Sequence, residues 1–324
     1  MTTLLVTGSP YYVQWEYEVY NSWPDWDVHP WPLSSIPGGI LSAKQAEALS
    51  EHFSKVDVWY QIGGHGLRRR DAAFRTAHDL GVPIVIRWMG SDIAIMKSHF
   101  DRNPQSIGMV QEFFHLCAAP WFIEELRQIG IDGEFLPITT MRRRAFLEME
   151  VPPHPDRFTV LSYIPDGKLG LYGWPIIASL AEAFPDIDFV IAAGTGDSFG
   201  DVPANVRLLG WCDDMYDAYR ACSVVVRMTE HDGYSGMVQE ALLLGRHVVW
   251  TYPFPGAIQA IDGATLHRQI RNLLSLHLTG ELEVNREGRE YIRRHLTPEV
   301  LCDRIRRKFS QMARDSFRGG RPGR

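Results

Sequence analysis

The feature that most constrains the fold of this chain is the regular alternation of two kinds of segment. Short apolar runs rich in Val and Ile, several of which end in glycine, alternate with longer segments whose apolar residues recur at helical spacing. This order predicts parallel sheets covered by helices, that is, a doubly wound α/β fold. The predicted strands lie at residues 4–8, 56–64, 82–90, 133–140, 158–164, 187–194, 206–210, 222–228 and 247–251, with a further short strand between two helices within 109–130.

Length and composition indicate two domains. The chain has 324 residues, of which 45% are hydrophobic and 22% charged, an ordinary globular composition. A charged, proline-rich stretch, EMEVPPHPDR at residues 148–157, separates two blocks of alternation and is the best candidate for a linker. We expect Rossmann-like domains over residues 1–150 and 151–285, facing each other across a central cleft. In residues 286–324 we expect a final charged helix, roughly 286–314, that packs back toward the first domain, followed by a flexible basic tail.

Charge and cysteine content narrow the classes of function. The formal net charge is -6 and the pI is near 6.1, so the body of the protein has no electrostatic basis for binding nucleic acid. The cysteines show no metal-ligand spacing, so we expect free thiols in a reducing, cytoplasmic compartment. We expect neither a signal peptide nor a membrane-spanning segment. The cysteines are Cys117, Cys212, Cys222 and Cys302.

The C-terminal end departs from this acidic balance. Its basic residues fit either a solvated helix face with a frayed tail or peripheral contact with an anionic membrane. These residues are Arg304, Arg306, Arg307, Lys308, Arg314, Arg318, Arg321 and Arg324.

One segment carries most of the chemical information: DGYSGMVQEALLLGRHVVW at residues 232–250. After an acid and a glycine-containing loop, it continues at helical spacing to Gly245 and ends in a β-branched run. The amides of residues 235–238, at the positive end of a helix dipole, favour phosphate. Asp232 and Glu240 would repel an anion, so we expect hydroxyl groups on either side of the phosphate as their partners. A diphosphate between a ribose and a sugar, as in a nucleotide sugar, meets that demand.

This segment resembles the donor-site motif of the retaining glycosyltransferases of family 4, which have the GT-B fold. In that family an acid, seven residues and a Glu are followed by a helix, a glycine and a strand. Asp232 and Glu240 reproduce the spacing, with Asp where the family more often has Glu. The preceding segments FTVLSYIPDG, FPDIDFVIAAGTG and NVRLLGWCDDMYDAYRACSVVVR follow the family's order. The resemblance is therefore good over roughly 155–255, and before that VPIVIRWMGSDI and PWFIEELRQIGI match in order.

The resemblance implies a function and a set of site residues. It implies metal-independent transfer of a sugar, with retention of configuration and without a cofactor, from a nucleotide-diphosphate sugar to a hydroxyl of a glycan, lipid-linked or small-molecule acceptor. Glu240 would accept hydrogen bonds from the ribose, and Asp232 would hold the sugar. The implied catalytic residues are Asp232, Lys168, Arg227 and His65. The implied donor-binding residues are Glu240, Gly233, Tyr234, Ser235, Gly236, Met237, Val238, Gly194 and Trp211.

On the donor side, two basic positions depart from the family pattern. The family's arginine in the first loop of the second domain is replaced by an uncharged residue in SYIP. The lysine position of the family is either Lys168, which we choose, or is occupied by Tyr172. Arg227 either supplies the second positive charge or forms an ion pair with a nearby carboxylate.

On the acceptor side, less of the family pattern is present. Met89 replaces a histidine, so we expect Arg87 or His65 to take over its role. The usual Gly-Gly loop is replaced by TGSPYYV. The stretch at residues 11–32 is crowded with Tyr and Trp, and serves either packing or stacking on an acceptor. Its apolar periodicity fits a strand, whereas the order of elements requires a helix.

Other motifs are weaker. GTGDSFG at residues 194–200 is similar to a nicotinamide-binding loop, but its glycines are out of register and it leads into a strand. DWD at 25–27 and DID at 186–188 imitate metal-binding pairs, yet the second pair flanks a predicted helix-to-strand turn, and we predict no metal. Two functions from other classes are kept: a nucleotide-sugar epimerase or hydrolase of the same fold, and a catalytically silent nucleotide- or glycan-binding scaffold.

Overall fold

The computed structural model describes residues 1–32, 36, 41–138 and 142–318, which form two compact units. Unit 1 contains Met1–Met141 and Leu296–Arg324, and unit 2 contains Arg142–His295. Each unit is built on one parallel six-stranded sheet. The doubly wound α/β fold predicted from the alternation is therefore confirmed in both units.

Unit 1 has the strand order β2-β1-β3-β4-β5-β6. Its strands are β1 (Thr2–Gly8), β2 (Trp26–Pro32), β3 (Val58–Ile62), β4 (Ile84–Trp88), β5 (Phe114–Cys117) and β6 (Glu134–Phe135). Its helices are α1 (Pro10–Tyr20), α2 (Ala43–Phe53), α3 (Gly66–Arg69), α4 (Asp71–Asp79), α5 (Ser91–Arg102), α6 (Ile107–Gln111) and α7 (Phe122–Arg127), with a 3-10 helix at Pro104–Ser106, and α14 (Pro298–Arg318) from the end of the chain.

The aromatic stretch at residues 11–32 forms both a helix and a strand. Pro10 at the start of α1 has its φ fixed at a helical value and lacks the amide that a first helical turn leaves unbonded, so it favours a helix start there. Tyr20, Trp23 and Trp26 are buried and lie with their ring centroids within 6.4 Å of the Phe309 ring of α14. This part of the stretch therefore belongs to the core of unit 1.

Unit 2 has the strand order β12-β11-β10-β7-β8-β9. Its strands are β7 (Thr159–Tyr163), β8 (Asp188–Ala192), β9 (Val206–Gly210), β10 (Val224–Arg227), β11 (His247–Trp250) and β12 (Ile258–Gln259). Its helices are α8 (Arg142–Glu148), α9 (Trp174–Ala183), α10 (Tyr216–Arg220), α11 (Gly236–Leu243), α12 (Gly263–Leu278) and α13 (Arg286–His295).

The end of the chain differs from the sequence prediction. A single charged helix over roughly 286–314 is wrong, because α13 ends at His295 and α14 begins at Pro298. Proline is tolerated in the first turn of a helix but not in its interior, and the Thr297 hydroxyl accepts a hydrogen bond from the amide of Val300 at 3.3 Å. The final residues 319–324, with Arg321 and Arg324, lie outside the described residues, as do residues 139 and 140 of the strand predicted at 133–140.

Candidate active site

The centre of the unit 2 sheet is the place where the winding direction reverses. From the neighbouring strands β7 and β10, the sheet grows through β8 and β9 on one side and through β11 and β12 on the other. Doubly wound sheets bind ligands at the carboxyl ends of the strands at such a switch point. In unit 2 these ends continue into the loops at residues 164–173 and 228–235.

Gly173 brings these two loops into close contact. A Cβ atom at this position would lie 2.2 Å from the carbonyl oxygen of Met228, and the residue has φ +71°. Both the space and the backbone conformation therefore require glycine. The start of α9 is held directly against the segment that follows β10.

The N-terminus of α11 opens from this switch point. Ser235 is its N-cap residue, and the hydroxyl oxygen of Ser235 accepts from the amide of Val238 at 3.5 Å. Within the described residues, the amides of Gly236 and Met237 have no hydrogen-bond acceptor. Gly236 is exposed, and the Nε2 of buried Gln239 fixes the loop by donating to the carbonyl oxygen of Tyr234 at 2.8 Å. The first turn of α11 thus presents two amides that can bind an anion.

Asp232 and Arg227 form a nearly buried ion pair. The Nη2 of Arg227 donates to Oδ1 of Asp232 at 2.9 Å and its Nε donates to Oδ2, and the two side chains are 10% and 9% exposed. The Thr229 hydroxyl donates to the same Oδ2 at 3.3 Å, and the guanidinium carbon lies 5.3 Å from the centroid of the Tyr172 ring. Burial lowers the pKa of Arg227, but the charge and hydrogen bonds of Asp232, together with Tyr172, outweigh burial and hold this pKa above its usual value.

The ion pair has a direct consequence for the electrostatics of the site. The arginine remains charged, yet Asp232 neutralises it, so the pair adds no net charge at the switch point. Binding of sugar hydroxyls by Asp232 and charge stabilisation by Arg227 stay predictions.

Glu240 lies one turn into α11. Because a helix rises about 1.5 Å per residue, its Cα lies about 6 Å along the axis from Gly236. The Tyr219 hydroxyl donates to Oε2 of Glu240 at 2.8 Å, and Tyr219 is only 1% exposed. The Glu240 residue thus follows the amides of Gly236 and Met237 by about one turn of the same helix.

The other loop of the switch point carries Lys168. Asp166 holds this loop, since it accepts from the amide and hydroxyl of Thr195 at 2.7 and 2.8 Å and from the Ser198 hydroxyl at 3.2 Å. The hydrogen bond from the Thr195 amide is the main cause that lowers the pKa of Asp166. The amide of Gly167 donates to Ser198 Oγ at 3.1 Å. Lys168 is exposed and, within the described part of the chain, forms no ion pair.

Gly194 and Trp211 follow the neighbouring strands β8 and β9, respectively. The carbonyl oxygen of Gly194 accepts from the amide of Gly210 at 2.9 Å, and a Cβ atom at Gly194 would lie 2.5 Å from the Phe199 ring. Trp211 is 72% exposed, and its indole Nε1 donates to Asp213 Oδ1 at 2.9 Å. The GTGDSFG loop leads into β9, not into a helix, as the sequence predicts.

In unit 1, the corresponding strand end carries His65. The reversal lies between β1 and β3, and His65 is exposed immediately after β3, at the start of α3. Asp92 joins the loops after β3 and β4, because it accepts from the amides of Gly64 at 2.6 Å, Met89 at 3.0 Å and Gly90 at 2.8 Å. Burial nonetheless raises the pKa of Asp92.

Arg87 does not lie at this exposed edge. It is fully buried, its Nε donates to the Tyr60 hydroxyl at 2.7 Å, and its Nη1 donates to the carbonyl oxygen of Leu136. Its guanidinium group is therefore part of the interior of unit 1. Met89 occupies the position where the family has a histidine, and Arg87 and His65 were the candidates to take over its role. Of these two residues, only His65 is exposed.

Several predicted features of charge lie outside the candidate site. Asp186 and Asp188 flank the turn between α9 and β8, as predicted, and Asp188 pairs with Arg157 at 2.6 Å. Across the described residues, no group of three or more His, Cys, Asp or Glu side chains is arranged to hold a metal ion.

None of the helices described is both long and apolar enough to cross a membrane. At the basic end, Arg307 pairs with Asp303 and Lys308 with Glu134, whereas Arg304, Arg306 and Arg314 are exposed.

The fold places most of the donor-side residues predicted from the sequence at one point of unit 2, but two residues that hold them in place were not predicted. Asp232, Arg227 and the first turn of α11 meet Lys168's loop at one switch point. Tyr219 was missed, since it lies 21 residues before Glu240 and its spacing indicates only a helix. Asp166 was also missed, because its partner Thr195 lies 29 residues away in the loop after β8.

Comparison with known proteins identifies the fold. No family model and no curated protein matches this sequence. Among solved structures, HepE from Anabaena in complex with UDP and glucose is 12% identical, with a TM-score of 0.68 over 96% of this chain and 99% of that one. A glycosyltransferase from Rickettsia africae ESF-5 is 10% identical, with a TM-score of 0.72 over 96% and 98%. UDP-GlcNAc 2-epimerase from Neisseria meningitidis bound to UDP-GlcNAc is 13% identical, with a TM-score of 0.54 over 96% and 100%.

At these identities the likeness establishes architecture. Both units match the Rossmann-like units of these structures along nearly their whole length. The chain therefore has the GT-B fold, as the sequence predicts.

Proposed function

We propose that this protein is a retaining glycosyltransferase that moves a sugar from a nucleoside-diphosphate sugar to a hydroxyl group of a glycan, lipid-linked or small-molecule acceptor. The observation that carries the proposal is the turn from β10 into α11. There the amides of Gly236 and Met237, which have no acceptor among the residues that the structure describes, precede the Glu240 carboxylate on one helix. Structures of the same fold bound to UDP with glucose and to UDP-glucose, both from Anabaena HepE, support this class of donor.

Each chemical group of the proposed nucleotide-sugar donor matches one part of this site. Its diphosphate accepts from the two amides at the positive end of α11. Its ribose lies about 6 Å farther along the helix, where Glu240 accepts from the ribose hydroxyls. Trp211 offers an exposed aromatic face for the base, and Gly194 lets the backbone approach the nucleotide.

The reaction we propose needs no nucleophile from the protein. The acceptor oxygen bonds to the anomeric carbon on the face from which the diphosphate leaves, while the bond between that carbon and the phosphate oxygen breaks. The acceptor proton passes to the departing phosphate. Negative charge grows on the diphosphate, and the α11 dipole together with Lys168 stabilises it. No cofactor or metal ion takes part in this scheme.

An acceptor carried by a lipid gives the basic C-terminal end a role. Arg304, Arg306 and Arg314 are exposed on α14, and exposed arginines attract anionic headgroups. Peripheral membrane contact through α14 therefore belongs to the lipid-linked form of the proposal.

The test is transfer with defined donors. The protein is incubated with UDP-, GDP- and ADP-sugars and a panel of hydroxyl acceptors, with and without EDTA, and products are analysed by NMR. We expect a glycoside with the anomeric configuration of the donor, formed equally in EDTA. An inverted product contradicts the retaining mechanism, and loss of transfer in EDTA contradicts the metal-free one.

A second candidate is a nucleotide-sugar epimerase or hydrolase, which the likeness to the Neisseria UDP-GlcNAc 2-epimerase favours. Such an enzyme converts the donor in the absence of any acceptor. Epimer or free sugar formed at full rate without acceptor would support it against the transferase. Nucleotide binding without any conversion would support the silent scaffold.

A further inference from the structure

The carboxylate of Glu240 is held by a residue from another helix. Tyr219 of α10 donates its hydroxyl hydrogen to Oε2 of Glu240 at 2.8 Å. Tyr219 is 1% exposed, and Phe146 of α8 packs edge-on against its ring, with centroids 5.9 Å apart and an interplanar angle of 74°. The donor of this hydrogen bond is therefore enclosed, while Glu240 itself is partly exposed.

A fixed donor changes what a glutamate can do. A glutamate side chain has three rotatable bonds, and ordering it when a ligand binds costs conformational entropy. A buried tyrosine ring that packs against Phe146 of α8 has little freedom left, and hydrogen bonds to a charged acceptor are stronger than neutral ones. Because Oε2 is anchored before any ligand arrives, the carboxylate has a defined orientation.

We propose that Tyr219 is a positioning residue that fixes the Glu240 carboxylate so that it selects nucleotides carrying ribose hydroxyls. The inference deepens the proposed function and rests on it, because the nucleotide concerned is part of the proposed nucleoside-diphosphate sugar. Phe146 completes the arrangement by holding the Tyr219 ring in place. Specificity for the ribose of the nucleotide then depends on α8, α10 and α11 together.

The experiment compares a ribonucleotide with its dideoxy form. Calorimetry with the full chain measures the dissociation constants of UDP and 2′,3′-dideoxy-UDP, with GDP and ADP pairs used if they bind more tightly. In the wild type we expect the ribose hydroxyls to improve affinity roughly tenfold or more, the range of hydrogen bonds to a charged group. In Tyr219→Phe we expect that preference to fall to about threefold, with dideoxy-UDP binding unchanged.

The ratio of the two affinities separates positioning from general damage. A misfolded or loosened site weakens both nucleotides alike, whereas loss of positioning weakens only the ribonucleotide. Tyr216→Phe is the matched control, because Tyr216 lies on the same helix and, in the described part of the chain, makes no hydrogen bond to Glu240. Tyr219→Phe in a Glu240→Gln background completes a double-mutant cycle.

Each outcome is decisive. Collapse of the ribose preference in Tyr219→Phe but not in Tyr216→Phe, with no additional effect in the Glu240→Gln background, supports the inference. If Glu240→Gln removes the preference and Tyr219→Phe retains it, the inference is overturned while the proposed donor site stands. If the wild type has no ribose preference, or binds none of the three nucleotides, the donor site fails and the inference fails with it.

Discussion

Removing one partner of the buried ion pair at the switch point should destabilise unit 2 strongly. In Arg227→Met the aliphatic part of the side chain is largely retained, but Asp232 keeps its charge at 9% exposure. The carboxylate then retains the Thr229 hydroxyl as a donor and loses two donors from the guanidinium. A buried charge without its partner carries most of its desolvation cost.

The structure sets the magnitude. At 2.9 Å and an effective dielectric constant of about 20, two unit charges attract each other by about 6 kcal/mol before desolvation is counted. Loss of one partner of such a pair costs about 3 to 5 kcal/mol. We expect a loss of about 3 kcal/mol in Arg227→Met, and a smaller loss in Arg227→Met combined with Asp232→Asn, because no charge is then left buried.

Scanning calorimetry of the full chain measures this effect and resolves separate transitions if the two units melt apart. For a unit of this size 1 kcal/mol corresponds to about 2–4 °C, so Arg227→Met should lower the Tm of unit 2 by about 6–12 °C. Arg157→Met is the control, because its ion pair with Asp188 is 64% and 41% exposed and contributes less than about 1 kcal/mol. A drop below about 2 °C in Arg227→Met, or a larger drop in the double variant than in the single one, refutes the reasoning.

Three shorter predictions concern the same unit. Lys168→Ala should slow transfer by roughly a hundredfold while donor affinity measured by calorimetry changes far less, because the charge it meets grows only in the transition state; equal losses in both would contradict this role. Gly173→Ala should cost about 2 kcal/mol or more in unfolding experiments, through its positive φ and its contact with the backbone of Met228, whereas Gly170→Ala, which has open space around it, should be nearly neutral. Burial lowers the pKa of His154 to about 4, below about 6.5 in the unfolded chain, so its contribution is complete above pH 6.5 and is lost as the pH falls through 4. The Tm difference between pH 7 and pH 5 should therefore be smaller in His154→Gln than in the wild type, and an unchanged difference would exclude His154 as a cause.

Local sequence signals explain which parts of the fold could be predicted. The β10–α11–β11 unit follows from β-branched runs, an N-capping serine and a glycine stop, all of which act within a few residues. The signals at residues 11–32 conflict, because Val13, Trp15, Tyr17 and Val19 alternate as in a strand. Tertiary packing decides this case, since one face of α1 is buried in unit 1.

In the candidate site, too, features fixed by local spacing could be predicted, whereas features fixed by tertiary contacts could not. The positions of Ser235 and Glu240 relative to a helix start could be predicted, because spacing along one helix fixes them. Whether Arg227 is paired could not, since both a free and a paired arginine suit the end of a strand. The Tyr219 hydrogen bond to Glu240 depends on how α10 packs beside α11, and no spacing in the sequence encodes that contact.

The discontinuity of unit 1 has a consequence for the order in which the protein matures on the ribosome. Synthesis runs from the N-terminus, so Tyr20, Trp23 and Trp26 emerge long before Phe309, the ring they surround. Unit 2 is one continuous stretch and has all its core residues once His295 has been made. The unit that is translated second is therefore the first able to complete its core, and the aromatic face of the nascent unit 1 stays exposed to chaperones until α14 leaves the exit tunnel.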